Sequence, residues 1–572
     1  AVEIAAGASQ VIESEFGTTS APALWSVKSP SLYTVRTEVK AGNQVLDVVE
    51  EDYGFRWFEM DKDTGASLNG EAIKLKGVCM HHDQGSLGSA AYRRAIERQV
   101  EILQEMGANS IRVTHNPAAE VLIDICNEKG MLVIDELFDG WMFPKNENKH
   151  DYSKWFGKAI GDGNTIIGGT AAMTWAEFDL KATLRRGQND PSIIMWSLGN
   201  EIQEGAGGSG YNKQSQKLIS WAQETDSTRM LTIGSNAVKN TDASKKEHVD
   251  IANQLTNVGG ASGTNYSNGN SYDSLHSQYP QWKLYGSETA SSVNSRGVYT
   301  TKRSGGNSAD NLDENKQLTS YDKSKVPWGA LASEAWYDVI QRDFVAGEYV
   351  WTGFDYIGEP TPANGISGGA RGSWPSPKNS YFGIVDTAGF PKDSYYFYQS
   401  QWNENVKTLH VLPTWNEDTV MKDGKDKDVE VVVYSDAKKV ELWLDSVNGE
   451  SKKIGEQTFT TVKSKGGKYS YQMVDGSNDH TGLYMTFRVP FEEGTLRAVA
   501  YDENGEKITE TKGRSSVSTT GGAAKLTAEA DRQEIVADGD DLTYIEVDVQ
   551  DADGHTVPNA DTVSYTHLTL PT

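Results

Sequence analysis

The sequence predicts a multidomain chain in which a central (β/α)8 TIM barrel is flanked by immunoglobulin-like β-sandwich domains. Three observations predict it. Strand-like apolar runs alternate with helix-period segments between residues 73 and 402. On either side, over 23–59 and beyond 401, apolar and polar residues alternate in short runs with no helical period. Finally, 572 residues ask for three to four domains, at roughly 150 residues per domain.

Taken in order, Leu32 to Val39 alternates as a half-buried strand does, and 1–60 reads as the C-terminal part of a sandwich. The barrel, 61–402, opens with the strand Ile73 to Met80. The helix Tyr92 to Met106 follows, with Ile96, Val100 and Leu103 on one face and Gly107 as its stop. Ser110 to Thr114 is the second strand, Ala118 to Glu128 a helix ended by Gly130, and Met131 to Ile134 the third strand. An insertion rich in glycine and aromatics (140–174) precedes the helix Trp175 to Arg186 and the strand Ser192 to Leu198. Further strands are expected at Met230 to Ile233, near Ile251 to Val258, at Leu284 to Gly286 and at Gly347 to Trp351, each nearly continuously apolar. Residues 403–518 read as a second sandwich, 519–524 as a small-residue linker, and 525–562 as the opening of an incomplete third sandwich. The final stretch, 563–572, breaks composition abruptly and reads as a non-native tail, a translated adapter from library preparation.

Composition narrows the function. Lys and Arg number 54 against 80 Asp and Glu, a net charge of −26, which repels phosphate backbones and anionic headgroups, so nucleic acid is excluded as a partner. No apolar run approaches the ~20 residues of a membrane helix, so no membrane insertion is expected. Cys79 and Cys126 are the two cysteines, each in an apolar stretch that favours core packing over a disulfide framework.

Active sites of such barrels lie at the carboxyl ends of the strands. There the sequence places His81-His82-Asp83, His115-Asn116, Asp135-Glu136, Asn200-Glu201, Asn265-Tyr266, Glu288, Trp351 and Asp355. No glycine-rich phosphate loop or cofactor fingerprint accompanies them, so no cofactor is expected. Carboxylates, imidazoles and an aromatic floor suit a neutral polyhydroxylated ligand. Several of these residues keep a second reading. His81-His82-Asp83 fits a metal site or imidazoles gripping hydroxyls, Asp135-Glu136 fits a buried brace, and Trp351 fits core filling. Glu201 and Glu288 are harder to explain as structure, because a carboxylate directly after a long apolar strand costs desolvation without a purpose or partner. Two carboxylates from different strand ends are what glycoside cleavage needs, one to protonate the departing oxygen and one to attack the anomeric carbon or activate water.

These residues resemble glycoside hydrolase family 2. The resemblance rests on Asn116-Pro117, Asp135-Glu136 and, above all, Pro191-Ser192-Ile193-Ile194-Met195-Trp196-Ser197-Leu198-Gly199-Asn200-Glu201, which looks like the family's acid/base region. Tyr285-Gly286-Ser287-Glu288-Thr289 resembles its nucleophile region. Leu24-Trp25-Ser26 with Pro30-Ser31-Leu32-Tyr33, and His410 to Asn416, are similar to its flanking sandwiches, so that the resemblance covers about 22–561.

The resemblance implies Glu201 as acid/base and Glu288 as nucleophile of a retaining mechanism. It implies His81, His115, Asn200, Tyr266, Trp351, Glu136 and Asp355 as substrate-binding or orienting residues. Where relatives carry a magnesium-binding Glu-x-His, this sequence has Gly140-Trp141-Met142, so no metal is expected. The resemblance further implies that 1–60 is the last part of a sandwich that follows an amino-terminal jelly-roll in the family. Trp351 to Pro362 resembles β-galactosidases, and the acidic Asp355 and Glu359 disfavour a uronate. The expectation is therefore an exo-acting enzyme releasing terminal β-D-galactose from a neutral galactoside. The alternatives are a β-glucuronidase or β-mannosidase of the same family and, from another class, a surface carbohydrate-binding or adhesive protein. Small-residue linkers, an acidic exterior and few cysteines suggest an extracellular, cell-surface or periplasmic bacterial protein, with a cytoplasmic location as the alternative.

Overall fold

A computed structural model describes the chain except residues 1, 9, 13–16, 18–19, 146–147, 149, 165–168, 203–209, 240–245, 302–310, 360, 362–378, 424–426 and 561–572. The tail expected at 563–572 lies outside the described residues.

Eight parallel strands close into a barrel: β1 (Leu75–Met80), β2 (Ser110–Val113), β3 (Leu132–Glu136), β4 (Ile193–Asn200), β5 (Met230–Ser235), β6 (Ser262–Asn265), β7 (Leu284–Ala290) and β8 (Val345–Trp351), with β8 pairing back on β1. Side chains alternate between two cores, as the pleat requires. Leu75 and Cys79 of β1, Leu132 and Ile134 of β3, Ile194 of β4 and Tyr349 of β8 fill the barrel interior. Val78, Met80, Ile111, Val113 and Val133 face outward and pack against Ile96, Val100 and Leu103 of the helix Arg93–Met106 and against the helix Glu120–Lys129. Both helices end where the sequence said they would, at Gly107 (φ 100°) and Gly130 (φ 77°), in the left-handed region that glycine enters without a steric penalty.

The sixth strand differs from expectation. Ile251 to Val258 is not a strand: Lys246–Asn257 is a helix whose His248, Ile251, Ala252 and Leu255 form one buried face at helical spacing. The strand is Ser262–Asn265, with little apolar content. Crowding explains the small residues. A Cβ on Gly263 would lie 2.7 Å from the Ile233 carbonyl and 2.8 Å from both the Tyr285 hydroxyl and Ser287 Oγ.

Around the barrel the sheets are antiparallel. Tyr33–Ala41 pairs with Gln44–Tyr53 as a largely exposed hairpin, and Phe58–Asp61, Gly65–Leu68 and Glu71–Ile73 form a small sheet leading into β1. After the last barrel helix, Asp393–Trp402, two sheets pack face to face. Val429, Val431, Val433, Met485 and Phe487 of one meet Val440, Leu442, Phe459, Leu496 and Val517 of the other. Lys525–Ala530 and Ile545–Gln550 form a final hairpin. Among the described residues, no helix is long and apolar enough to cross a membrane.

Candidate active site

Strand parity sorts the polar residues of the barrel. In β2, Ile111 and Val113 face the helices, so Ser110 and Arg112 face inward, and Arg112 becomes a fully buried guanidinium. The same alternation splits Asp135 from Glu136. Asp135 points toward the helix layer, where Oδ1 accepts the Ala118 N–H at 2.9 Å and burial pushes its carboxyl up to about 6. Glu136 points into the barrel, with no exposed surface.

Arg112 joins the ends of four strands. Its Nη2 and Nε donate to Glu136 Oε2 at 2.7 and 3.1 Å, Nη1 to Glu288 Oε1 at 2.9 Å, and Nη2 also to Asn200 Oδ1 at 3.1 Å. Burial opposes its charge, but Glu136 and Glu288 outweigh burial and hold the guanidinium well above its ordinary value. The second oxygen of Glu288 accepts from Tyr266 Oη at 2.7 Å. On the opposite side, Asn265 Nδ2 donates to Glu201 Oε1 at 2.8 Å and to Asn200 Oδ1 at 3.1 Å, while its own oxygen accepts from Ser287 Oγ at 2.6 Å. Glu201 and Glu288 thus sit on one hydrogen-bonded network.

His115 is part of it as a neutral ring. Burial pushes it down to about 3, only partly offset by Glu288. With Nδ1 2.6 Å from Glu136 Oε1, the proton belongs on Nδ1, leaving Nε2 to accept from Asn200 Nδ2 at 3.3 Å. The ring stacks on Trp351 (centroids 5.2 Å, interplanar angle 8°), and His81, which burial lowers to about 4, stands edge-on to Trp351 and 4.4 Å from the Tyr356 ring.

The backbone is bent to present these groups. Glu201 (φ 41°) and Tyr266 (φ 56°) occupy the left-handed region that non-glycine residues rarely adopt, as do Ala290, the last residue of β7, and Ser291 just past it. Their turns are pinned: Glu201 N–H donates to the Gly234 carbonyl at 2.8 Å, Tyr266 N–H to the Glu288 carbonyl at 2.7 Å, and Lys239 Nζ to the Tyr266 carbonyl at 2.8 Å. Each such conformation costs of order 1–3 kcal/mol and persists where surrounding structure over-determines it, which is common at sites of chemistry.

Of the residues singled out in the sequence, Glu201, Glu288, His81, His115, Asn200, Tyr266 and Trp351 come together here. Two need correction as ligand contacts. Glu136 has every oxygen occupied by Arg112, Ser197 and His115, so it positions other groups. Asp355 pairs with Lys392 Nζ at 2.6 Å and accepts from the Gly383 N–H and Ser380 Oγ, bracing the loop after β8. The sequence reading missed Arg112 and the positioning role of Asn265. The signal for Arg112 was a cation in the middle of an apolar strand.

The metal reading of His81-His82-Asp83 gains no support. Asp83 accepts the Gly85 and Ile357 N–H groups, and the described residues contain no cluster of three or more His, Cys, Asp or Glu that could hold a metal. Trp141, between the Gly140 and Met142 that stand where relatives were expected to carry their magnesium-binding Glu and His, is buried and donates to the Leu198 carbonyl at 2.9 Å.

Residues 61–370 match the family "Glycosyl hydrolases family 2, TIM barrel domain", and residues 2–56 match "Glycosyl hydrolases family 2". Residues 426–509 match a domain of unknown function and 526–566 "Glycoside hydrolase family 2 C-terminal domain 5". The chain is 34% identical to Beta-galactosidase BoGH2A of Bacteroides ovatus over 96% of its own length and 60% of that protein's. It is 30% identical to a putative beta-glucuronidase of Formosa agariphila, over 96% of this chain and 47% of that protein. Among solved structures, a beta-glycosidase from Bacteroides vulgatus superposes with a TM-score of 0.71 at 26% identity, covering 94% of this chain and 61% of that one. The chain therefore spans about half to three-fifths of the length of these three relatives.

Proposed function

The chain belongs to glycoside hydrolase family 2, and from that premise we propose that it is the catalytic part of a retaining, exo-acting β-galactosidase. The observation that carries the reading is the single network in which Asn265 holds Glu201 while Arg112 and Tyr266 hold Glu288. In the first step Glu288 attacks the anomeric carbon of a terminal β-galactoside while Glu201 protonates the departing glycosidic oxygen. In the second, Glu201 takes a proton from water, which displaces Glu288 from the sugar with net retention. Arg112 and Tyr266 each donate to one oxygen of Glu288, fixing its attack direction. The Trp351 ring backed by His115, with His81 at its edge, offers an apolar face and flanking imidazoles for the sugar.

Galactose as the sugar is supported by the similarity to the Bacteroides ovatus enzyme and, among the described residues after β8, by the pairing of Lys392 with Asp355, which leaves that cation occupied rather than facing a uronate. The similarity to a protein named as a glucuronidase supports the second reading, cleavage of a β-glucuronide. The two are separated by kcat/KM of the complete gene product on nitrophenyl β-galactoside, β-glucuronide and β-mannoside. The galactoside is expected to lead by about 100-fold, the scale that pocket contacts to substrate hydroxyls reach. A lead by the glucuronide overturns the choice of sugar, and inactivity on all three overturns the enzyme reading in favour of an adhesive one. We further propose an exported protein, tested by whether the complete reading frame opens with a basic, then apolar, leader ending in a cleavage site.

A further inference from the structure

A cleft of about 770 Å³ opens between the barrel and the final hairpin. One wall is built by Gln84 and Gly85, which follow His81 closely in the chain, and by Ile357, the neighbour of Tyr356. The facing wall is built by Tyr544, Ile545 and Glu546 at the start of the hairpin's second strand. Two contacts seat the hairpin. Arg94 Nη2 lies 2.8 Å from Asp531 Oδ2, and the Arg98 guanidinium lies 4.3 Å from the centre of the Tyr544 ring. One carboxylate joins the cleft to the active-site wall: Asp83 accepts the Gly85 N–H on Oδ1 at 2.7 Å and the Ile357 N–H on Oδ2 at 2.6 Å. The segments 81–85 and 351–357 therefore present His81, Trp351 and Tyr356 to the catalytic pocket and Gln84, Gly85 and Ile357 to the cleft.

We propose that this cleft is an accessory binding site for a neutral oligosaccharide, holding sugar units of the substrate beyond the bond that is cut. The proposal rests on the glycosidase reading above and names the size of substrate that the site prefers. Its volume falls within the ~300–1,000 Å³ of small-ligand sites. Its lining sets the half-buried Gln84 amide, held at 2.7 Å by the buried Gln99, beside half-buried Tyr544 and Phe390, as polyols with apolar faces require. Among the described residues, Glu529, Asp531 and Glu546 line it against one lining cation, Arg98, and on a chain of net charge −26 they disfavour an anionic occupant.

The test compares kcat/KM of the complete gene product on nitrophenyl β-galactoside and on a neutral hexasaccharide ending in β-galactose, for the wild type, Tyr544→Ala and Gln84→Ala. Each variant is expected to lower the hexasaccharide-to-nitrophenyl ratio about tenfold through KM, the loss of one stacking or hydrogen-bonding contact. An unchanged ratio, or an equal fall on both substrates, overturns the site. Gln84→Ala lies on the barrel wall, so it decides the matter even if Tyr544→Ala unseats the hairpin. If the wild type cleaves neither substrate, the function reading has failed by itself. Calorimetric titration of the hexasaccharide then decides the cleft: saturable binding weakened by both variants supports it, and no binding overturns it.

Discussion

Among the described residues, a carboxylate, an arginine, a tyrosine and a histidine come together both at the barrel mouth and where the barrel meets the C-terminal sandwich. At the mouth, Glu288 receives Arg112 and Tyr266, with His115 Nε2 3.8 Å away. At the junction, Asp393 receives His410 Nε2 at 2.7 Å, Tyr299 Oη at 2.7 Å and Arg514 Nη2 at 3.2 Å. Both rings are neutral, but their tautomers are opposite: His115 donates from Nδ1 to Glu136, whereas His410 donates from Nε2 to Asp393. His410 is pushed down to about 4 by burial, accepts the Arg514 N–H on Nδ1, and stacks on Tyr396 at 3.8 Å, as His115 stacks on Trp351.

The surroundings differ. Asp393 opens a regular helix, whose N-terminus favours a negative charge, and none of the four junction residues has a left-handed backbone. Glu288 shares its network with a second carboxylate, Glu201, on a turn at φ 41°, and Tyr266 beside it is likewise left-handed. At both places a guanidinium and a phenol hold a buried carboxylate, and at the junction a neutral imidazole donates to it as well. A paired carboxylate and a strained backbone at strand ends are what give the mouth its chemistry.

Glu288→Gln should break the mouth and spare the fold, lowering kcat by about 10⁴-fold or more, because the amide cannot act as nucleophile. A fluorinated slow substrate followed by peptide mass analysis should label Glu288 in the wild type, and label elsewhere reassigns the nucleophile. Glu201→Ala should cost about 10²–10⁴-fold on substrates with poor leaving groups and far less on activated aryl galactosides, which need no proton in the first step. Equal losses on both would make Glu201 structural.

Asp393→Asn should do the reverse. It should destabilise the chain by about 3 kcal/mol, the low end for breaking a buried ion pair because the Arg514 side chain is 34% exposed, while kcat of the folded protein stays within about twofold. Chemical denaturation and steady-state kinetics on one preparation read both numbers, and a large kcat loss would show that the two networks communicate.

The smallest effect is on pH dependence. His410 is lowered to about 4 in the folded chain, against about 6.5 when exposed. Between those values the unfolded chain binds a proton that the folded chain refuses. The contribution of His410 is therefore full above about pH 6.5 and lost progressively as pH falls toward 4. Burial pushes Asp393 up, but Arg514 and His410 outweigh it and hold it below its ordinary value, so its own contribution persists above about pH 3.9 and is lost only in stronger acid. Thermal melts should show Tm falling from pH 6.5 to 4, with a shallower slope in His410→Gln. An unchanged slope would place the acid sensitivity in His81 and His115 instead.

The sequence by itself determined what depends on local period and local chemistry. Ile96, Val100 and Leu103 at helical spacing, with Gly107 behind them, fix a helix wherever it packs. A run such as Ile193 to Leu198 followed by Asn200-Glu201 marks a buried strand with a carboxylate at its end. Only the tertiary structure decided what depends on closing the barrel. Arg112 meets Glu288 across 176 residues and Asn200 across 88, and no local pattern encodes such pairings. Closure also chose Ser262–Asn265 over Ile251 to Val258 as the sixth strand, because the space beside Tyr285 and Ile233 admits small residues and the apolar alternative fits a helix face. It turned Asp135 and Glu136, adjacent in sequence, to opposite sides of one strand, and it paired Asp355 with Lys392. The physical reason is that burial and pairing are properties of position in space, whereas periodicity and capping are properties of the chain.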